Sequence, residues 1–125
     1  MKKRKQPDYG DQIARARKAC ETLGTDTPAC SICGEDRPVV LERHHIAGRK
    51  YDPETMILCK NHHALMTDMQ KNYPSDASLE PTQLERVGRM LLNLADLFRI
   101  LVEKLTEFGH YLIELSQASS NGGIE

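Results

Sequence analysis

The chain has 125 residues, 28% of them charged and 39% apolar. That length holds one small domain and an extension, and the absence of any run of 18 apolar residues argues against a membrane-spanning helix. The formal net charge of -1 hides an asymmetry: residues 1–63 carry 12 Lys and Arg against 9 Asp and Glu, whereas residues 64–125 carry 5 against 9.

The start, Met1-Lys-Lys-Arg-Lys5, is basic and runs into polar residues rather than a secretory leader, so a reducing, cytoplasmic setting is expected. These first residues suit either solubility or phosphate contact. Residues 8–23 read as a helix, preceded by Pro7 and ended by Gly24, with Ile13, Ala16, Cys20 and Leu23 as its apolar stripe. Cys20 reads as a small core residue. Residues 1–27 thus form a basic tip and a helix, and Thr25-Asp-Thr-Pro28 links them to the first cysteine pair.

Cys30-x-x-Cys33 and Cys59-x-x-His62 form two ligand pairs. Structural zinc takes four Cys or His ligands in pairs two to four residues apart, because a short gap lets one tight turn aim two side chains at one ion. A disulfide or unligated thiols are the alternatives, and a reducing compartment favours metal. Between the pairs, Val39–Ile46 is β-branched and apolar enough for a strand. Gly48 and Lys50-Tyr51-Asp52-Pro53 read as a loop, and Thr55–Leu58 as a short return strand. Asn61 to about Gln70 reads as a helix, with Leu65, Met66 and Met69 for a buried face. Three histidines of this stretch remain outside the zinc set, His44 and His45 late in the first strand and His63 at the start of the helix; the fifth, His110, lies far off on the C-terminal helix and reads as a surface residue. Adjacent strand residues face opposite sides, so one of the His44-His45 pair could equally be a plain surface residue.

In Cys30-Ser-Ile-Cys33-Gly34, Glu42-Arg43-His44-His45-Ile46-Ala47-Gly48-Arg49 and Leu58-Cys59-Lys60-Asn61-His62-His63, the chain resembles the HNH endonucleases over about residues 28–70. The resemblance implies a ββα-metal fold pinned by structural Zn²⁺ on Cys30, Cys33, Cys59 and His62. It implies cleavage of DNA phosphodiesters with one divalent cation, Mg²⁺, Mn²⁺ or Ni²⁺. His44 and His63 would hold that cation and His45 would be the general base. Imidazole ligands fit Mn²⁺, Ni²⁺ or Zn²⁺ better than Mg²⁺, which prefers oxygen. The chain departs from the family in two places. His62 stands where a Cys is usual, and no Asn lies between His45 and Cys59 to brace the base-bearing loop. Thr55 and Asp52 are the nearest polar candidates for that support, and a weakened brace predicts slower cutting. Arg43, Arg49 and Lys50 are candidates for phosphate contact on DNA.

The chain breaks again at Asn72-Tyr73-Pro74-Ser75-Asp76, which closes a module over residues 28–72. Residues 78–118 then carry five heptads: Leu84, Leu91, Phe98, Leu105 and Leu112 at a, and Val87, Leu94, Leu101, Phe108 and Leu115 at d. Thr82-x-x-Glu85 offers a capping box. A helix over 81–118 would be roughly 57 Å long, too long to bury its stripe on so small a module. A homo-oligomer through residues 81–118 is expected, with a hairpin against the first helix as the alternative. The e positions Gly88, Ala95, Val102 and Gly109 are mostly small and admit a close backbone, and the g positions Met90 and Leu97 are apolar as well, so the buried strip is wider than a simple two-stranded seam, which suggests antiparallel packing or more than two helices. Residues 119–125 read as a flexible tail. The fold class expected is α+β: a small zinc-stabilised ββα module between an N-terminal helix and a long heptad helix.

Overall fold

The structure, a computed structural model, describes Gln6 and residues 9–75 and 78–121. The basic tip over residues 1–5 and the tail over 122–125 lie outside the described residues. The chain is α+β, in the order α1 (Tyr9–Leu23), a 3₁₀ turn (Pro38–Val40), β1 (Leu41–His45), β2 (Thr55–Cys59), α2 (Lys60–Gln70) and α3 (Gln83–Asn121).

Helix α1 ends at Gly24, whose φ of 81° lets its N–H turn back to the Cys20 carbonyl at 2.8 Å. Only glycine takes that backbone turn cheaply. The stripe predicted on α1 is covered only at its C-terminal end: Leu23 is buried, Cys20 is half-buried and Ile13 is exposed. The helix packs chiefly on the 3₁₀ turn. That turn replaces the first residues of the strand expected over 39–46. Pro38 has no N–H and a fixed φ, which suit the first position of a turn and deny the ladder a donor.

Strands β1 and β2 are antiparallel, with Leu41 opposite Cys59 and His45 opposite Thr55. Helix α2 continues from β2 without a break. Cys59 caps it, its sulfur accepting from the His62 N–H at 3.5 Å. One small core forms where these elements meet, around Leu41, Leu58 and Met66, with Leu58 and Met66 fully buried.

Helix α3 crosses α2 and completes this core with Leu97 and Ile100. Thr82 begins it, its hydroxyl accepting from the Glu85 N–H at 3.1 Å. The helix runs to Asn121, three residues past the end predicted, because nothing before Gly122 breaks it. Its attachment is largely polar. Arg86 donates to the Lys50 and Tyr51 carbonyls, and Arg89 stacks 4.4 Å from the Tyr51 ring centre while donating to the Tyr73 and Pro74 carbonyls. Asp96 is buried and accepts from the Tyr73 hydroxyl at 3.2 Å and from Arg99 at 2.6 Å. Among the described residues, no helix is long and apolar enough to cross a membrane.

Candidate metal centre and histidine cavity

Cys30 and Cys33 sit on a knuckle in which the Gly34 N–H returns to the Cys30 carbonyl at 2.9 Å. Gly34 takes a φ of 76°, again the left-handed region. Ser31 ties the knuckle to the sheet, its N–H donating to the Ile57 carbonyl at 2.9 Å. Across from it, Cys59 and His62 come from the junction of β2 and α2. All four ligand atoms lie within 4.8 Å of one another. The edges measured are 3.3 Å from Cys59 Sγ to His62 Nδ1, 3.6 Å from Cys30 Sγ to His62 Nδ1, and 3.9 Å from Cys33 Sγ to Cys59 Sγ. Zinc bond lengths put the edges of a tetrahedron at about 3.4–3.8 Å. The group therefore has the size and donor chemistry to hold a zinc ion.

The two knuckle thiols differ. Burial opposes ionisation of Cys30, but the backbone N–H groups of Cys59, Cys33 and Ile32 outweigh it and bring its thiol down to about 6. Cys33 is pushed up, first by desolvation of its sulfur and then by the adjacent Cys30 and Cys59 sulfurs.

A second group of side chains lies on the other part of the hairpin. A cavity of about 190 Å³ is lined by Arg43, His44, His45, Gly48, Arg49, His63, Thr67 and Gln70. It brings together three of the four histidines outside the Cys₃His set; the fourth, His110, is exposed on α3. The rings of His44 and His63 meet edge to face, 4.9 Å between centres. His45 reaches the same cavity although it comes directly after His44, because it is the last residue of β1 and the chain turns there, the Gly48 N–H donating to the His45 carbonyl at 3.1 Å. His44 is buried. That burial, with His63 and His45 beside it, pulls its imidazole down to about 4, so the ring is neutral near pH 7 and keeps a lone pair for a ligand.

Two partners of these histidines are absent from the sequence reading. Glu42 Oε2 lies 3.1 Å from His63 Nδ1. It precedes His44 by two residues, so strand alternation puts both on one face of β1, and that spacing is the signal that could have found it. Gln70 closes α2. Its Nε2 donates to the carbonyls of His45 at 3.3 Å and Ile46 at 3.2 Å, and lies 3.3 Å from His44 Nε2. Gln70 stands seven residues, two helical turns, after His63, so both share a face of α2.

Of the remaining predicted residues, Arg43, Thr55, Asp52 and Lys50 have structural partners of their own. Arg43 Nε and Nη2 donate to the Leu23 carbonyl, and its Nη1 donates to the Thr55 hydroxyl at 3.0 Å. Its guanidinium thus ties the end of α1 to the hairpin while forming part of the cavity wall. Thr55 is accordingly engaged with Arg43. Asp52 shapes the loop between the strands, accepting from the Glu54 N–H at 2.7 Å. The polar support expected from Thr55 or Asp52 at the turn after His45 comes instead from the Gln70 amide. Arg49 is exposed at the cavity rim. Lys50 sets its ammonium over the Tyr51 ring, 5.9 Å from the centre.

Comparisons with family models, curated proteins and solved structures found no match for this chain.

Proposed function

We propose that the protein is a metal-dependent DNA endonuclease or nickase of the HNH type, with structural Zn²⁺ on Cys30, Cys33, Cys59 and His62 and self-association through α3. The observation that carries this reading is the convergence of His44, His45 and His63 on one cavity beside a Cys₃His group. In it, His44 and His63 hold the catalytic cation. Their ring separation of 4.9 Å suits two imidazoles on one ion. A divalent cation, when bound, supplies polarisation of the phosphoryl oxygen and offsets charge on the leaving oxygen. The donor set fits: His44 is neutral, and the Glu42 carboxylate on His63 Nδ1 fixes the orientation of that ring, as carboxylates do behind metal-bound histidines.

His45 takes a proton from the attacking water, whose oxygen bonds to phosphorus as the bond to the leaving oxygen breaks. A neutral imidazole is matched to that transfer near pH 7. Arg49 at the rim neutralises a phosphate of the bound strand. Gln70 takes the part of the missing Asn: its amide on the His45 and Ile46 carbonyls holds the turn that aims His45.

A second reading, a non-cleaving zinc module that binds DNA or protein, draws support from Gln70 against His44 Nε2 and Glu42 against His63 Nδ1, which give one nitrogen of each ring a partner. Plasmid nicking with Mg²⁺, Mn²⁺ or Ni²⁺ decides. Cutting by the protein, with loss of about 10²- to 10⁴-fold in His45→Ala, supports the endonuclease. A gel shift without cutting in any of these metals supports the second reading. Neither cutting nor a shift overturns the DNA assignment.

A further inference from the structure

We infer that two copies of the chain pair through α3 in antiparallel orientation, about a two-fold axis passing between Arg99 and Ile100. This rests on the reading of α3 as self-associating and adds its orientation and register.

The face of α3 that docks on its own module is not the heptad face. The docked residues are Asn93, Asp96, Leu97 and Ile100. At 3.6 residues per turn they lie about 120° round the helix from the a/d seam. Only the d residues Leu94 and Leu101 touch the core, at its edge. All five a residues, Leu84, Leu91, Phe98, Leu105 and Leu112, are exposed. From Val102 to Ser120 every residue but Gly109 is exposed. The intramolecular core leaves the a positions of this seam, and all of it from Val102 onward, uncovered.

The small residues say which side of the seam a partner takes. A glycine inside a helix costs about 1 kcal/mol relative to alanine. A Cβ added at Gly88 or Gly109 would meet nothing within 4 Å, so no packing within the chain calls for either glycine. Both stand at e, on the far side of the seam from the docked module. An open concavity of about 520 Å³ on that side is lined by Ala95, Phe98, Arg99, Val102 and Glu103. An incoming helix can approach closely there, and cannot take the g side, where Leu97 is already buried.

A second copy fits this surface in one direction. In an antiparallel pair, a residues meet d residues and e residues meet e residues. About the axis stated, Leu84 meets the partner's Leu115, Phe98 meets the partner's Leu101, and Leu112 meets the partner's Val87. No seam residue is left over. In the same register Gly88 faces the partner's Gly109 and Ala95 faces the partner's Val102. A parallel pair would set each small e residue against a large g residue, Leu97 among them, and would leave the glycines without a reason. Nine exposed seam and e residues, at the areas implied by ordinary side-chain transfer energies, bury roughly 1,300 Å² in the pair, within the range of stable dimers. The axis lies normal to the plane of the helix pair, so both ββα modules emerge on one side of it.

The test uses full-length, zinc-loaded protein. Light scattering is expected to give twice the 14.1 kDa chain mass. Gly109→Leu, harmless within one chain, is expected to halve that mass with helicity unchanged. In a Cys20→Ser background, chains bearing Leu91→Cys mixed with chains bearing Phe108→Cys are expected to form a disulfide on mild oxidation, and Phe108→Cys alone is not. A dimer in which Phe108→Cys alone cross-links is parallel and overturns the orientation while self-association stands. A wild-type mass of a single chain overturns self-association itself. A dimer unmoved by Gly109→Leu overturns the close e-face contact.

Discussion

The ββα module and α3 solve opposite problems. The module has too few residues to build a core alone: its buried apolar set is small, its strands are five residues each, and it draws Leu97 and Ile100 from α3. Its polar groups turn inward, onto a cluster of four ligands and a cavity of three histidines. Helix α3 has apolar surface in excess and turns it outward, while fastening itself to the module with Arg86, Arg89 and Asp96. Small domains need an ion or a partner to hold together; the proposed zinc would serve the module and the proposed pairing would serve α3.

The sharpest way to break this contrast is to remove the ion. Cys30→Ser, or a strong chelator, is expected to melt β1, β2 and α2, since structural zinc supplies on the order of 10 kcal/mol to such modules. Amide exchange should lose protection there, and metal analysis should fall from one zinc per chain to none. A module that stays protected without metal would end the zinc assignment.

Next in size is the cavity. Gln70→Ala removes the amide from the His45 and Ile46 carbonyls and is expected to slow nicking about tenfold with zinc content unchanged. A slowing that tracks lost zinc instead would make Gln70 a residue of the core and not of the base-bearing turn.

The fastening of α3 can be tested apart from the ion. Asp96→Ala deletes a buried carboxylate that accepts from Tyr73 and Arg99, and should cost about 2–3 kcal/mol, read as a lower melting temperature. Loss of the module's protection to the same extent would show that core and helix unfold as one unit; protection retained would separate them. The smallest effect expected is from Thr82→Ala, which loses the cap on the Glu85 N–H for about 1 kcal/mol, confined to the first turn of α3.

The pattern of the chain carries much of this. The four-ligand spacing, the strand–loop–strand–helix order and the heptads are legible because each is a local periodicity: a two-residue gap, an alternation, a repeat of seven. The cap that Cys59 provides is equally local, its sulfur accepting from the His62 N–H three residues on, but no pattern in the chain marks it. The strand begins at Leu41 and not at Val39 because Pro38 acts on its neighbours in the turn, which β-propensity does not weigh. The exposed stripe of α1 shows the same limit, since periodicity marks an apolar face and not what covers it. Gln70 is not legible in the chain because its acceptors, the His45 and Ile46 carbonyls, lie more than twenty residues away.

By itself, then, the sequence determined most of the elements and the spacing of the Cys₃His group, since backbone propensity, capping and residue spacing act over a few residues. Only the tertiary structure decided that His44, His45 and His63 share a cavity, that Arg43 holds α1 to the hairpin, and that α3 docks by a face other than its heptads. Those outcomes depend on which surfaces meet once the hairpin closes, and burial and hydrogen bonding between distant residues are not written in any local repeat.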